Sequence, residues 1–335
     1  MSTAQLSIAE VEDLTRRALI ACNTSAANAE SLTRSVVASE LDGIHSHGLA
    51  RLPTYCEHAR CGKIDGQATA DVVQTAAASL MADARDGFAH PAIDAGFARL
   101  VPLVGETGVA ALGVTNSYNC GVLGYHVETL AQQGLLALGF TNAPASMAPH
   151  GGIAPVFGTN PIACAVPDGE GAAALVIDQS SSVVARSELI VHASAGEPIP
   201  EGWALDAEGN PTTDPKAGLG GTMLPSGGYK GAGQALIVEL LAAALTGSHL
   251  GIHASSFADN NGGSPRTGQF FIAIDPARFG GEGFAANLRA LLAAITGQDG
   301  ARIPGHRRMA ARQRIAAEGV QISAALHEKL CGYAG

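Results

Sequence analysis

The stretch SLMADARDGFAHPAIDAGFARLVPLVGETGVAALGVT, residues 79–115, decides the fold class. SLMADA (79–84) and VAALGVT (109–115) are short apolar runs of strand type, and 91–104 between them reads as a helix. Strand, helix, strand is the unit of an α/β layered domain. The alternation continues downstream. LLALGFT (135–141), IACAVP (162–167) and AALVID (173–178) are strand-like, and a helical run covers 122–133.

Towards the N-terminus the spacing is helical throughout. Ser7 with Glu10 makes a capping box, and Ile8, Val11, Leu14 and Ala18 share one helical face. A second helix starts after Ser25 and runs through Leu32, Val36 and Val37 to Leu41, where Gly43 supplies a left-handed stop. Beyond Asp178 a polar, Pro/Gly-rich segment extends to about Gly228. An apolar helix (232–246), a strand QFFIAID (269–275) and helices over 284–297 and 306–331 follow. The pattern predicts α+β layers: a helical domain from both ends, 1–70 with 284–335, beside an α/β domain over 71–283. No internal repeat is present.

With 47% apolar and 15% charged residues and 42 glycines, the chain is globular and rich in loops. A net charge of −10 argues against nucleic acid or an anionic membrane as a partner. Positive charge is nevertheless concentrated in one place, with Arg302, Arg307, Arg308, Arg312 and Arg314 in a stretch that holds no acid. The six cysteines include no C-x-x-C, which fits free thiols in a reducing, cytoplasmic setting. The first residues, MSTAQLSIAEVEDL, lack the features of an export signal. The longest apolar run, ALIVELLAAAL (235–245), is short and carries Glu239, so a core helix is expected.

An α/β chain invites a search for a dinucleotide fingerprint. Gly218-Leu-Gly220-Gly-Thr-Met223 lacks the third glycine and a preceding strand, and GGYKGAG (227–233) lacks G-K-[ST]. The second segment still leads into a helix, so its free N–H groups and Lys230 would suit a phosphate; a plain glycine-rich helix start is an equal reading.

DGIHSHGLARLPTY (42–55) holds the most suggestive chemistry. A zinc reading of His45-x-His47 needs a third ligand, and no H-E-x-x-H or similar partner is nearby, so no metal is expected. An acid–base reading needs a partner that orients the ring and an anion clamp, for which Ser46 and Arg51 are available. An ordinary loop histidine remains open on these residues alone. His150 reads as structural or as a pocket wall, Asp42 as a helix-end residue, and Cys120 has no basic neighbour in sequence that would make it a nucleophile.

Ser46-His47-Gly48 with Arg51 and Tyr55 resembles the opening signature of the malate/L-lactate dehydrogenase family, whose fold is not a Rossmann fold. FGTNPI (157–162), IDQSSSVVARSE (177–188), PIPEGWALDAEGNPTTDP (198–215), LPSGGYKGAGQALIVELL (224–241) and RIPGHRR (302–308) extend the resemblance along almost the whole chain. It implies a non-Rossmann, mixed-sheet NAD(P)-binding domain and an oxidoreductase acting alpha to a carboxylate. It also implies a homodimer and NADPH as cofactor, with NADH as the alternative. His47 matches the proton donor/acceptor and Ser46 its relay partner, while Arg51, Thr159, Arg186 and Ser187 match the substrate side. The cofactor side would be Asn119, Cys120, Gly121, Val122, Leu123, Asp178, Gln179, Ser180, Tyr229 and Lys230, together with Arg302, Ile303, Pro304, Gly305, His306, Arg307 and Arg308.

Two departures stand out. Hydroxyacid branches of the family read Ala-Arg-Gly-Lys where this chain reads Ala185-Arg186-Ser187-Glu188, and Asn119-Cys120 replaces the usual His-Phe or His-Tyr. An acid at 188 resembles the Δ1-piperideine-2-carboxylate/Δ1-pyrroline-2-carboxylate reductases, in which an aspartate completes a Ser–His–Asp relay. On that resemblance the chain would reduce cyclic 2-imino acids to L-pipecolate or L-proline, with Glu188 in the relay. The alternative is a 2-hydroxyacid dehydrogenase of malate, lactate, sulfolactate or ureidoglycolate type.

Overall fold

The computed structural model describes residues 2–335. A short strand β1 (Thr3–Leu6) leads into helices α1 (Ile8–Ala21), α2 (Ala26–Leu41) and α3 (Leu52–Arg60). The capping box is present: Ser7 Oγ accepts from the Glu10 N–H, and Glu10 Oε2 accepts from the Ser7 N–H at 2.7 Å. Ser25 caps α2 in the same way, accepting from the Asn28 N–H at 3.2 Å. Between α2 and α3 the chain makes a single 3₁₀ turn, His45–His47.

The main sheet takes β2 (Asp71–Ala76), β3 (Ser79–Asp83), β4 (Val109–Ser117), β5 (Leu136–Thr141), β6 (Ile162–Pro167) and β7 (Ala173–Gln179), with α4 (Ala89–Thr107) and α5 (Leu123–Ala131) between strands. Its order is β2-β3-β4, then a late strand, then β5-β6-β7. The 79–115 stretch folds as β3–α4–β4, and those two strands are parallel. Every other pairing in this sheet is antiparallel. The α/β class therefore holds as a mixed sheet, and the doubly wound parallel topology does not occur.

The Pro/Gly-rich segment is more ordered than its composition suggests. It contains α6 (Arg186–Ala195), a small sheet of β8 (Ala204–Leu205), β9 (Pro211–Thr212) and β10 (Thr222–Met223), and α7 (Pro215–Gly220). Leu189, Ile199, Ala204 and Met223 form a core of its own with Met147 and Phe157. The apolar helix follows as α8 (Tyr229–Val238), which widens into a π-helix at Glu239–Ala244. Strand β11 (Thr267–Ile274) then enters the main sheet between β4 and β5.

The tail departs from one long helix. Helix α9 (Glu282–Thr296) buries none of its residues, and 306–331 divides into α10 (His306–Glu318), strand β12 (Val320–Ser323) and α11 (Ala324–Ala334). Gly319 causes the break. It sits at φ +82°, and a Cβ there would lie 2.5 Å from the Leu6 carbonyl. The released strand pairs with β1 in antiparallel register, Thr3 opposite Ser323 and Leu6 opposite Val320.

Two large cores result. One lies between the main sheet and α4 and α5, where Phe97 meets Phe271 edge-on at 5.0 Å. The other is made by both ends of the chain: Leu14, Leu19, Leu32 and Leu52 pack with Ile315, Val320 and Leu330. Arg312 of α10 joins the layers by bonding both Asp42 at the end of α2 and Glu128 of α5. Those carboxylates are 3% and 10% exposed, so without the guanidinium two buried charges would stand unpaired.

Candidate active site

The site is built on the loop that closes α2. Glu40 is fully buried, and its carboxylate accepts from the Leu49 N–H at 2.6 Å and holds His45 Nδ1 at 2.5 Å. A carboxylate out of water needs such partners. Glycine at 48 leaves room for this carboxylate, since a Cβ there would lie 2.1 Å from Glu40 Oε1 and would displace it. The turn is thereby fixed, and its two imidazoles are separated in role. His45 is held on Glu40. His47 lines a cleft of about 780 Å³. Among the described residues, no three His, Cys, Asp or Glu are arranged to hold a metal ion.

Besides His47, the cleft is lined by Gly121–Leu123 where α5 begins, by Thr159, by Asp178–Ser180 where β7 ends, by Lys230 at the start of α8, and by Arg308 of α10. Ser46 Oγ lies 3.1 Å from His47 Nδ1, which leaves Nε2 for a ligand. Burial is the main cause that pushes the His47 imidazole down to about 4, and the Arg51 and Arg308 cations act in the same direction. Asp178 opposes them. The ring is therefore neutral at pH 7 in the unliganded protein.

Arg51 caps α3 from its N-terminal side, with its guanidinium carbon 5.8 Å from the centre of the Phe257 ring. Its Nε is buried without a hydrogen-bond partner. Beside it, burial pushes the Tyr55 hydroxyl up to about 12, against the pull of Arg51. Tyr55 donates to Asn119 Oδ1 at 3.1 Å, and the same oxygen accepts from the Gly121 N–H at 2.8 Å, which shapes the loop ahead of α5. Asp178 Oδ2 accepts from the Gly124 N–H at 2.8 Å and from Arg308 Nη2 at 3.3 Å. Arg308 Nη1 is buried and unpartnered. Thr159 is placed through its carbonyl, which accepts from the Ser181 N–H at 2.8 Å.

Several residues expected in the site stand elsewhere. Glu188 is exposed in the first turn of α6 and is not among the charges acting on His47; the carboxylate that does act there is Asp178. Arg186 turns towards α7, donating to the Leu219 carbonyl at 3.5 Å, and neither it nor Ser187 lines the cleft. Cys120 is buried, burial pushing its thiol up to about 12, and its carbonyl lies 2.8 Å from His126 Nε2. Tyr229 is 67% exposed and lies near His150. Arg302, His306 and Arg307 are exposed, Ile303 is buried, Pro304 accepts from the Val176 N–H, and Gly305 starts α10. The arginine cluster thus divides: Arg308 faces the cleft, Arg312 is structural, and Arg314 pairs with Glu318. The cleft also takes Ile44, Pro161, Val183, Val184, Ser226 and Gln234, all within or beside the motifs quoted from the sequence.

The chain is similar to known proteins over almost its whole length. The chain is 47% identical over 329 residues to (2R)-3-sulfolactate dehydrogenase (NADP(+)) of Chromohalobacter salexigens, covering 98% of each. It is 41% identical over 300 residues to a Delta(1)-pyrroline-2-carboxylate/Delta(1)-piperideine-2-carboxylate reductase of Pseudomonas putida, covering 89% of this chain and 88% of that one. The crystal structure of delta1-piperideine-2-carboxylate reductase from Pseudomonas syringae pathovar tomato superposes with a TM-score of 0.93 at 36% identity, over 98% of this chain and 99% of that one. The family profile for malate/L-lactate dehydrogenases matches residues 6–331, and the chain belongs to that family of oxidoreductases.

Proposed function

We propose that the cleft carries out NADP(H)-linked oxidoreduction at the carbon alpha to a carboxylate. The observation that carries this reading is the pair of buried, unpartnered guanidinium nitrogens, Arg51 Nε and Arg308 Nη1, whose cations both act on a neutral His47. Arg308 and Lys230 fit the phosphates of a dinucleotide, whereas the Lys230, Gly231 and Ala232 N–H groups at the start of α8 already donate to the Gly227, Ser226 and Gly228 carbonyls. When bound, the reduced nicotinamide supplies a hydride to C2 of the substrate.

The chain's own residues position the substrate and manage the proton. Arg51 holds the substrate carboxylate, which orients C2. That carboxylate also offsets the Arg51 charge, so substrate binding raises the proton affinity of His47. Ser46 fixes the ring through Nδ1, and Nε2 exchanges the proton with the substrate heteroatom.

The substrate we favour is a 2-hydroxy acid, or its 2-oxo partner, with a second anionic group of the 3-sulfolactate type. The similarity to the Chromohalobacter enzyme supports this. The cyclic imino acid reading drew in part on Glu188, which is exposed in the first turn of α6, and the Pseudomonas relatives support it. A steady-state panel decides between them. 3-Sulfopyruvate, pyruvate, oxaloacetate, Δ1-pyrroline-2-carboxylate and Δ1-piperideine-2-carboxylate would be compared with NADPH and with NADH. The highest kcat/KM is expected for 3-sulfopyruvate with NADPH. A higher value on either imine would replace this substrate assignment.

The same reading includes a homodimer. Leu236, Ile237, Leu240 and Leu245 form an exposed apolar row along α8 and the π-helix, a face that a second copy would cover. Light scattering should give twice the chain mass, and a single-chain mass at micromolar concentration would remove this part.

A further inference from the structure

Lys63 follows α3 and is 2% exposed. Its ammonium donates to three backbone carbonyls of one loop: Ser256 at 2.6 Å, Asp259 at 2.7 Å and Asn261 at 2.7 Å. All three of its donors are used. Burial lowers its proton affinity and Asp259 offsets that, so the cation is held by the loop it organises. The loop's other side-chain bonds close on itself, Ser256 Oγ accepting from Ala258 and Asp259 from Asn261, while Arg266 anchors its far end on Asp86. Phe257 lies between the first two of these carbonyls in sequence. Its ring lies under Arg51, 5.1 Å from the Tyr118 ring, and packs against the terminal core.

We propose that Lys63 is a positioning residue. Acting as an internal monovalent cation, it seats the 256–261 loop so that Phe257 holds Arg51 in the orientation that receives the substrate carboxylate. The three carbonyls form a cage that accepts a free ammonium or potassium ion once the lysine is shortened. Carbonyl oxygens replace the hydration shell of such ions where their spacing allows. The role rests on Arg51 being the carboxylate clamp, whereas the cage does not.

The test uses Lys63→Ala, which opens the cage, Lys63→Met, which keeps the side-chain bulk without the charge, and Phe257→Leu, which keeps the lysine. For the first and third, KM for 3-sulfopyruvate, and for Δ1-pyrroline-2-carboxylate in parallel, should rise about tenfold. kcat and NADPH affinity should stay near wild type. Adding ammonium or potassium chloride, but not lithium chloride at equal ionic strength, should restore KM in Lys63→Ala only. Hydrogen exchange over 254–263 should quicken in Lys63→Ala and slow again with ammonium, a readout that needs no turnover. Equal losses in KM, kcat and NADPH binding, or no response to ammonium in either assay, would overturn the proposal. If exchange responds to ammonium while Phe257→Leu and an Arg51 variant both leave KM unchanged, the cage stands, and both the positioning role and the Arg51 clamp fall.

Discussion

His47→Ala lowers kcat by about 10²–10⁴-fold while NADPH still binds; that is the expected result if this imidazole is the acid–base group. The size follows from what is lost. Among the described residues lining the cleft, no other histidine is available to exchange a proton with a substrate. Ser46 would lose its partner, and Asp178 is committed to the Gly124 N–H and Arg308. The pH profile carries a second, independent signature. In the free enzyme the ring titrates at about 4, so kcat/KM for oxidation of a hydroxy acid, which needs neutral His47, should climb through that region and be flat above about pH 5. In the reduction direction the ring must be protonated. Its proton is taken up when the substrate carboxylate reaches Arg51, so the limb seen in kcat should lie above the one seen in kcat/KM. Turnover that persists in the alanine variant removes His47 from this role.

Arg51→Met should lower kcat/KM by about two orders of magnitude, mostly through KM, because a desolvated, charge-assisted contact is worth about 3 kcal/mol. Methionine keeps much of the bulk against Phe257, so the loss reports on charge. Lysine at this position should recover only part of it, since an ammonium cannot replace the planar fork. The same change acts on His47. Arg51 is the strongest of the cations pushing that imidazole down, so its removal should move the acid limb of kcat/KM to higher pH. An unchanged KM together with an unmoved limb would place the substrate carboxylate elsewhere.

Much of this architecture is written in local pattern. The β3–α4–β4 unit could be read from residues 79–115 because apolar periodicity is strong over a long span. The capping box at Ser7 was equally plain. The strand at 320–323 was not, because four residues between two helices offer too little alternation, and its reason to exist is a partner more than 300 residues away. The position of β11 in the sheet is likewise decided by long-range pairing.

Site residues divide along the same line. Those inside long motifs, such as His47, Thr159, Asp178 and Lys230, come together at the cleft. The arginine cluster looked uniform as a count, yet Arg308 and Arg312, one turn apart on α10, go to different partners, Arg308 to Asp178 at the cleft and Arg312 to the Asp42–Glu128 clamp. Glu188 had the right chemistry for a relay, but the first turn of α6 presents it to solvent. Glu40 and Lys63 were invisible for the opposite reason. A buried acid or lysine has no sequence signature when its partners are backbone groups reached only by folding.

Strand β11 has a consequence for how the protein is made. It pairs on one side with β4 and on the other with β5, and both of those leave the ribosome more than 120 residues before it. Until it arrives, the nascent chain holds two half-sheets with open edges facing each other, the kind of surface that invites wrong pairing. Closing that gap requires contacts of long sequence separation, which are slow to form. The main sheet is therefore completed late in synthesis, and the span before β11 is the interval in which a chaperone would have most to protect.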